Sequence, residues 1–158
     1  MYDCVKAFMQ ASYEVANDPA GAQFLNWKAY SLVPYQSGTH GNRYVMNYVN
    51  AKGADYGKYE DAGVLPVGTV AAKNSFVANA NGSISVGPLF LMQKMGAGFN
   101  PAGGDWRYSM VMPDGSTFGE TGGANAGRVA FCNECHAVMA EDADYMFFLP
   151  EEYRTAKR

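Results

Sequence analysis

Hydrophobic and polar positions follow two different periods along this chain, one near its start and another through its middle. Over residues 4–16, apolar and small side chains recur every three or four positions and share one side of a helix. Asp3 is the expected N-cap of this helix, and the Asn-Asp-Pro run at residues 17–19 is expected to end it. The pattern therefore predicts an amphipathic helix at the beginning of the chain.

Beyond Trp27 the period shortens to two, which is the period of a half-buried strand. The runs of strand character cover residues 42–49, 67–78, 84–95 and 105–113. In the last of them, Trp, Tyr and Met alternate with Arg, Ser and Val. An Asn-Gly pair lies in the expected turn at residues 79–83, and a loop of small residues is expected at residues 121–127. These runs predict several strands in succession.

The order of these elements predicts an α+β fold. It is expected to be a predominantly antiparallel β-sheet with an N-terminal helix and a short helix that opens at Cys132 and runs through Met139. The 158 residues include 18 Gly and 11 Tyr, a composition that favours strands joined by tight turns over a helical bundle. No repeat, charge block or linker divides the chain, so residues 1–158 are expected to form a single domain.

Charge and hydropathy narrow the range of expected partners. The formal net charge of −3 gives no electrostatic reason to expect a nucleic acid or an anionic membrane. Apolar stretches such as residues 145–149 are far too short to span a bilayer. The first four residues have neither the basic start nor the apolar core of a signal peptide, so an exported protein would have lost its leader.

The chemistry of the chain is concentrated in one short motif, Cys132-Asn-Glu-Cys135-His136. This C-x-x-C-H pattern is typical of c-type haem attachment. Two thiols separated by two residues can each bond one haem vinyl group, and His136 then lies under the iron as its axial ligand. The alternatives are a disulfide and half of a zinc site. A zinc site needs further ligands, and only Cys4 and His40 remain to supply them.

The sequence leaves the second axial position of such an iron open to interpretation. His40 lies between Thr39 and Gly41, a setting typical of a surface loop, although it could in principle bind iron. Nine Met residues could also supply a ligand, but most of them lie in strand patterns where core packing is the expected role. Composition favours an iron whose second axial position is open over one in which a protein side chain fills it.

Several stretches in addition to the haem motif resemble the cytochrome P-460 family. They are THGNRYV at 39–45, PVGTVAAKNSF at 66–76, GPLF at 87–90, GGDWRY at 103–108 and FFLPEEYR at 147–154. The resemblance spans nearly the whole chain, and several blocks keep their order and spacing. It is therefore much more specific than the haem motif alone.

The resemblance implies a mostly β haem protein, usually a homodimer in the periplasm, with an open distal site. Such proteins bind or oxidise hydroxylamine, with nitrous oxide or nitric oxide as the product, and pass electrons to an acceptor such as another cytochrome. Their unusual feature is a lysine bonded to a meso carbon of the haem, and Lys73 occupies the position of that lysine. The implied cofactor is haem c, held by Cys132, Cys135 and Lys73.

Lys73 also suits that role chemically. A lysine amine is a nucleophile only when it is unprotonated, and its ordinary pKa is about 10.4. Burial beside an apolar haem would lower this pKa because a desolvated charge is unfavourable. Ala71, Ala72 and Phe76 supply apolar surroundings if the strand lies in the core. The alternative is a strand lysine that points into solvent.

The resemblance also implies residues for the distal side of the haem. Arg43 and Asp105 are the expected polar groups, with an ordinary ion pair or a solvated face as the alternative. Phe76 is the expected apolar wall, with core packing as the alternative. Members that oxidise hydroxylamine are expected to carry a carboxylate shortly before the haem motif, and here Ala126 or Gly127 is the best match to that position. Glu120 is the nearest acid upstream, so turnover of hydroxylamine is in doubt.

Three functions follow as competing hypotheses. The first is a hydroxylamine-oxidising haem enzyme, in which Lys73 tunes the macrocycle and His136 holds the iron. The second is a non-catalytic cytochrome of the c′ β-fold type that binds nitric oxide or carbon monoxide, favoured by the missing carboxylate and opposed by Lys73. The third is plain electron transfer, which would require a sixth ligand from Met or His.

Overall fold

The structure, a computed structural model, describes residues 2–156 apart from the side chain of Cys4. Within this range the helices are α1 (Tyr2–Tyr13), α2 (Ala20–Gln23), α3 (Ala130–His136) and α4 (Ala140–Ala143). The strands are β1 (Lys28–Ala29), β2 (Tyr35–Ser37), β3 (Arg43–Val49), β4 (Val70–Ala78), β5 (Ile84–Val86), β6 (Leu89–Lys94), β7 (Trp106–Val111) and β8 (Thr117–Glu120). Short 3₁₀ segments include Gly38–His40, Ala126–Val129 and Ala137–Met139.

All eight strands described in residues 2–156 belong to one antiparallel sheet. The order across the sheet is β1, β3, β4, β6, β7, β8, with β2 beside β3 and β5 beside β4. Antiparallel neighbours need only short connections, which suits the closely spaced strand patterns of the sequence. The predicted α+β class is confirmed: the molecule is mostly sheet, with a helix at its start and a short helical region near its end.

The register of the central strands separates their side chains into two faces. Asn47, Lys73 and Phe90 are cross-strand partners and therefore share one face, which we call the cavity face. Their neighbours in sequence, including Tyr48 and Ala72, point to the other face, which we call the helix face. Each face has its own group of buried apolar residues.

The helix face is covered by α1. Val5, Met9 and Tyr13 are buried against the sheet at the four-residue spacing expected of one helix side. The Tyr13 hydroxyl donates a hydrogen bond of 2.6 Å to the carbonyl of Gly87, and so anchors the end of the helix to the sheet. The helix ends at Tyr13, three residues earlier than its pattern predicts, and its first turn already includes Tyr2.

The predicted strand at residues 84–95 is two strands, β5 and β6, separated by Gly87 and Pro88. Pro88 has no N–H to donate to a neighbouring strand. A Cβ on Gly87 would collide with the side chains of Ser75 and Arg43, so only glycine permits this close approach. The break lets β5 pair with the end of β4 while β6 pairs with its beginning.

The cavity face is covered by the C-terminal part of the chain. Its buried cluster is rich in large aromatic residues, including Tyr56, Trp106 and Tyr108, against which Cys132 packs. The helix at the haem motif, α3, begins at Ala130 instead of Cys132, and the chain continues as a 3₁₀ turn through Met139. In the described residues, no helix combines the length and the apolar character needed to cross a bilayer.

Candidate functional site

A cavity of about 440 Å³ lies between the cavity face of the sheet and α3. Two further segments close it, residues 35–40 and residues 146–150. Its volume falls in the range of cofactor and small-molecule sites, and its walls are largely aromatic and aliphatic. The titratable groups that line it, besides tyrosines, are Lys73, His40, His136, Cys132 and Cys135.

The three residues of the haem motif line one wall of this cavity. Residues three and four apart lie on the same side of a helix, so α3 presents Cys132, Cys135 and His136 together. Both cysteines are free thiols. Burial raises the pKa of the Cys132 thiol to about 11, whereas Cys135 is exposed at the rim. Both cysteines therefore border the same cavity.

His136 is oriented by a backbone carbonyl. Its Nδ1 donates a hydrogen bond of 2.7 Å to the carbonyl oxygen of Tyr145, because a carbonyl can only accept. The proton on Nδ1 leaves the Nε2 lone pair free to bind a metal. Burial lowers the pKa of His136, and the bond to Tyr145 partly opposes this shift. The neutral ring packs between Tyr108 and Phe147.

The turn that carries the Tyr145 carbonyl is held by a buried ion pair. Lys94 Nζ lies 2.6 Å from Asp144 Oδ1, and both side chains are almost entirely buried. The other carboxylate oxygen accepts the Leu65 N–H at 3.0 Å, and the Trp106 indole N–H donates to the Asp144 carbonyl at 2.8 Å. Asp144 and Tyr145 both have positive φ angles, of 47° and 66°. Such backbone strain is maintained only where the surroundings fix it.

Lys73 extends from the middle of β4 into the cavity. No ion pair or hydrogen bond links its ammonium group to another described residue. Burial lowers the pKa of Lys73 to about 8, so roughly a tenth of the amine is neutral at pH 7. This fraction is far larger than for an ordinary lysine, which makes Lys73 the most nucleophilic amine that the cavity offers.

The depressed pKa of Lys73 gives stability a measurable pH dependence. Between about pH 8 and the ordinary lysine pKa of 10.5, the Lys73 amine binds more protons in the unfolded chain than in the folded chain. For the chain produced without haem, Lys73 is therefore expected to add stability across this window, whereas Cys132 and the buried tyrosines, whose pKa values are raised, act in the opposite direction. Relative to Lys73→Met, the natural chain is expected to gain on the order of 2 kcal/mol.

Urea unfolding at pH 7 and pH 10 measures this difference. The exposed Lys52 provides the matched control, because Lys52→Met is expected to keep the pH dependence of the natural chain. If the stability of Lys73→Met and that of the natural chain change by the same amount between the two pH values, Lys73 titrates normally and the site loses its nucleophilic amine.

Phe76 does not line the cavity, in contrast to its predicted role as an apolar wall. It lies on the helix face, where its ring stacks on Tyr44 at 5.5 Å and contacts Tyr2. Phe76 is three residues from Lys73 on one strand, and an odd separation places side chains on opposite faces. The sequence already contained this signal. Phe90, the cross-strand partner of Lys73, is the phenylalanine that lines the cavity beside it.

Arg43 and Asp105, the expected polar groups of the distal side, are also outside the cavity lining. Arg43 Nη1 donates to the carbonyl of His40 at 3.5 Å, so it supports the turn that precedes β3. The Asp105 carboxylate accepts the N–H of Asn100 at 2.9 Å and closes the turn between β6 and β7. Both residues support loops in this structure.

Ala126, the position that corresponds to the missing carboxylate, lies in a 3₁₀ segment outside the cavity lining. Glu120 is 3.6 Å from Arg107, and it does not line the cavity either. Within the described part of the chain, no Asp or Glu lines the cavity. Tertiary structure therefore does not bring a distant carboxylate to the place where the sequence lacks one.

His40 is the residue that sequence reasoning assigned to a surface loop and that the structure places in the cavity. Its ring meets Phe90 edge-on, with 4.8 Å between ring centroids. The setting Thr39-His40-Gly41 is typical of a turn, and nothing in the local sequence indicates that the turn folds over the sheet. The pairing of β2 with β3 is what brings it there.

The residues present fit a c-type haem. Cys132, Cys135 and His136 line one wall of the cavity, and most of the remaining wall is apolar, which is the donor set and the surroundings that this cofactor needs. Among the described residues, no group of three or more His, Cys, Asp or Glu side chains could hold a metal ion. A haem iron needs at most one protein ligand on each side, so this finding argues against a zinc site and not against a haem.

No family model matches the chain, and no curated protein matches it.

Proposed function

We propose that this chain is a c-type haem protein of the cytochrome P-460 kind that binds hydroxylamine. Cys132 and Cys135 would carry the haem, and His136 would hold its iron. The observation that carries the proposal is the 2.7 Å bond from His136 Nδ1 to Tyr145, which leaves Nε2 free on the wall that bears both thiols. A disulfide does not require this orientation of the histidine, and a zinc site would need a set of further ligands that the described residues do not supply.

A bound haem would supply an iron that coordinates small nitrogen ligands and changes its oxidation state. The residues of the chain would tune that chemistry. The Tyr145 carbonyl makes the His136 ring more electron-rich and fixes its orientation, and apolar side chains form most of the cavity wall. We propose oxidation of hydroxylamine as the reaction, with an electron-accepting cytochrome as the partner.

Binding and oxidation are tested on the haem-loaded protein in one titration. We expect hydroxylamine to change the haem absorption spectrum in a saturable way and to reduce an added electron acceptor, with nitrous oxide or nitric oxide as the product. A c-type cytochrome with His and Met ligands serves as the control, because its iron has no free position. Saturable binding without reduction of the acceptor would contradict the oxidation step.

A second candidate function is reversible binding of nitric oxide or carbon monoxide. It is favoured by one observation, that no Asp or Glu lines the described cavity to accept the protons that hydroxylamine loses on oxidation. Gas binding needs no such acceptor. Saturable binding of carbon monoxide by the reduced protein, together with no turnover of hydroxylamine, would support this function.

We also propose that Lys73 is bonded to a meso carbon of the haem. Forming this bond removes one hydrogen from Nζ and one from the carbon, so it needs a two-electron oxidant of the peroxide class, which is reduced to water. The neutral fraction of Lys73 supplies the nucleophile. Lys73 on β4 is the cross-strand partner of Phe90 on β6, and both residues line the cavity.

Mass spectrometry of a proteolytic digest tests the cross-link. We expect the peptide that contains Cys132 and Cys135 to carry both the haem and the peptide that contains Lys73. The Lys73→Arg variant is the matched control, and its haem peptide is expected without the second peptide. Lys73 recovered in an unmodified peptide at full yield would remove the main support for oxidation and favour gas binding.

From the resemblance, we also propose that the protein is periplasmic and that it forms a homodimer. Covalent haem attachment suits an exported protein, and sedimentation of the haem-loaded protein would test the dimer.

A further inference from the structure

His40 occupies a position in the cavity that no other part of the proposed function uses. It ends the 3₁₀ turn Gly38–His40, and its ring lines the same cavity as His136 and Lys73. Phe90, against which the ring packs, pairs directly with Lys73 in the sheet. The imidazole therefore lies beside the lysine.

Only one of the two ring nitrogens of His40 is engaged by the protein. Nδ1 lies 2.9 Å from the Ser37 hydroxyl oxygen and 3.2 Å from that of Thr39. Within residues 2–156, no hydrogen bond is made by Nε2. When Nδ1 carries the proton and donates it to Ser37, the lone pair of Nε2 is left to accept a hydrogen bond.

Side chains contact the turn that holds His40 from both sides. Gly41 and Asn42 both have positive φ angles, of 77° and 55°, and a Cβ on Gly41 would collide with the guanidinium of Arg43. Arg43 Nη1 donates to the His40 carbonyl, and Gln36 Nε2 donates to the Asn42 carbonyl at 3.3 Å. A strained turn that is fixed on both sides is typical of a site that positions one side chain.

The electrostatics of the cavity favour the neutral imidazole. Burial lowers the pKa of His40 to about 3, and the nearby Lys73 and His136 contribute to this shift. No described Asp or Glu lines the cavity to favour the charged form. A neutral ring with its Nδ1 proton directed at Ser37 is a hydrogen-bond acceptor at physiological pH.

We propose that His40 Nε2 accepts a hydrogen bond from the N–H or O–H of a ligand bound in the cavity. The inference rests on the proposed haem function, and it specifies the class of ligand. Hydroxylamine has hydrogens to donate, whereas carbon monoxide and nitric oxide have none. His40 thereby selects donor ligands over these gases, and it supplies an acceptor where the sequence lacks a carboxylate.

Two substitutions separate the roles of the ring nitrogens in the haem-loaded protein. An asparagine amide can replace Nδ1 in the bond to Ser37 but does not reach the position of Nε2. We expect His40→Asn to bind hydroxylamine about tenfold more weakly, the effect of one hydrogen bond, and to bind carbon monoxide with unchanged affinity. The longer His40→Gln offers an acceptor near Nε2 and is expected to restore hydroxylamine affinity to within about threefold.

Absorption spectra and nitrogen NMR of the ring complete the test. We expect the ferric spectrum of His40→Asn without ligand to match that of the natural protein, and His40 NMR to report a proton on Nδ1. Equal hydroxylamine affinity in the natural protein and His40→Asn would overturn the inference, as would a change from low-spin to high-spin iron, since His40 would then be an iron ligand. If the natural protein acquires no haem or binds no hydroxylamine, the proposed function itself is overturned. This outcome is seen in the natural protein, so it is distinct from any result obtained with the His40 variants.

Discussion

Replacing both Cys132 and Cys135 with alanine, together with Lys73→Arg, is expected to abolish covalent haem attachment. Each sulfur would be bonded to one vinyl carbon of the haem, and His136 alone would then hold the cofactor through its iron. Acidified organic solvent breaks the bond between iron and histidine but leaves carbon–sulfur bonds intact. We therefore expect the solvent to extract essentially no haem from a protein with both thioethers and Lys73 bonded, and essentially all haem from the double Cys variant that also carries Lys73→Arg.

The matched control for this experiment lies between the two cysteines. Glu134 is exposed, so Glu134→Ala changes the motif without removing a bonding atom and is expected to retain its haem. The double Cys variant with Lys73 intact shows how much haem the lysine holds by itself. Haem that remains bound after both cysteines and Lys73 are replaced would contradict the assignment of the attachment residues.

Replacing Asp144 with asparagine is expected to destabilise the fold strongly. The amide oxygen of the new side chain would still accept the Leu65 N–H, but the substitution would leave the ammonium of Lys94 buried without its counter-ion. Removing one partner of a buried ion pair costs about 3–5 kcal/mol. Urea unfolding of the purified protein measures the loss as a lower midpoint.

Two further variants test whether the ion pair is the cause. Lys94→Met combined with Asp144→Asn removes both charges and keeps the acceptor for Leu65, so it is expected to recover much of the lost stability. Asp55→Asn breaks an exposed pair with Lys58 and is expected to cost less than about 1 kcal/mol. A double variant as unstable as Asp144→Asn would contradict the electrostatic explanation.

The same substitution links stability to the site. The turn at Asp144 places the Tyr145 carbonyl, which accepts the proton of His136 Nδ1. Haem-loaded Asp144→Asn is therefore expected to show an altered haem spectrum in addition to its lower stability. An unchanged spectrum would mean that the Tyr145 carbonyl is held in place without the ion pair.

Local patterns were sufficient to predict the central strands, because the alternation of side chains in a strand depends only on its immediate neighbours, but they did not predict the short strands β1, β2 and β8. The pattern at residues 105–113 corresponds to β7, and that at residues 67–78 to β4, with errors of at most three residues at the ends. The pattern at residues 84–95 was divided because Gly87 approaches β4 and Arg43 closely, a contact that depends on segments distant in sequence.

The same distinction between local pattern and tertiary structure applies to the residues of the site. By itself, the sequence determined the α+β class and placed Cys132, Cys135 and His136 on one side of a helix, because helix geometry fixes residues three and four apart. Only the tertiary structure decided which distant residues join them. The pairing of β4 with β6 carries Lys73 to the cavity and the pairing of β2 with β3 carries His40 there, whereas Phe76 is turned to the opposite face. Strand register is set by packing across the whole sheet, which no local stretch of sequence encodes.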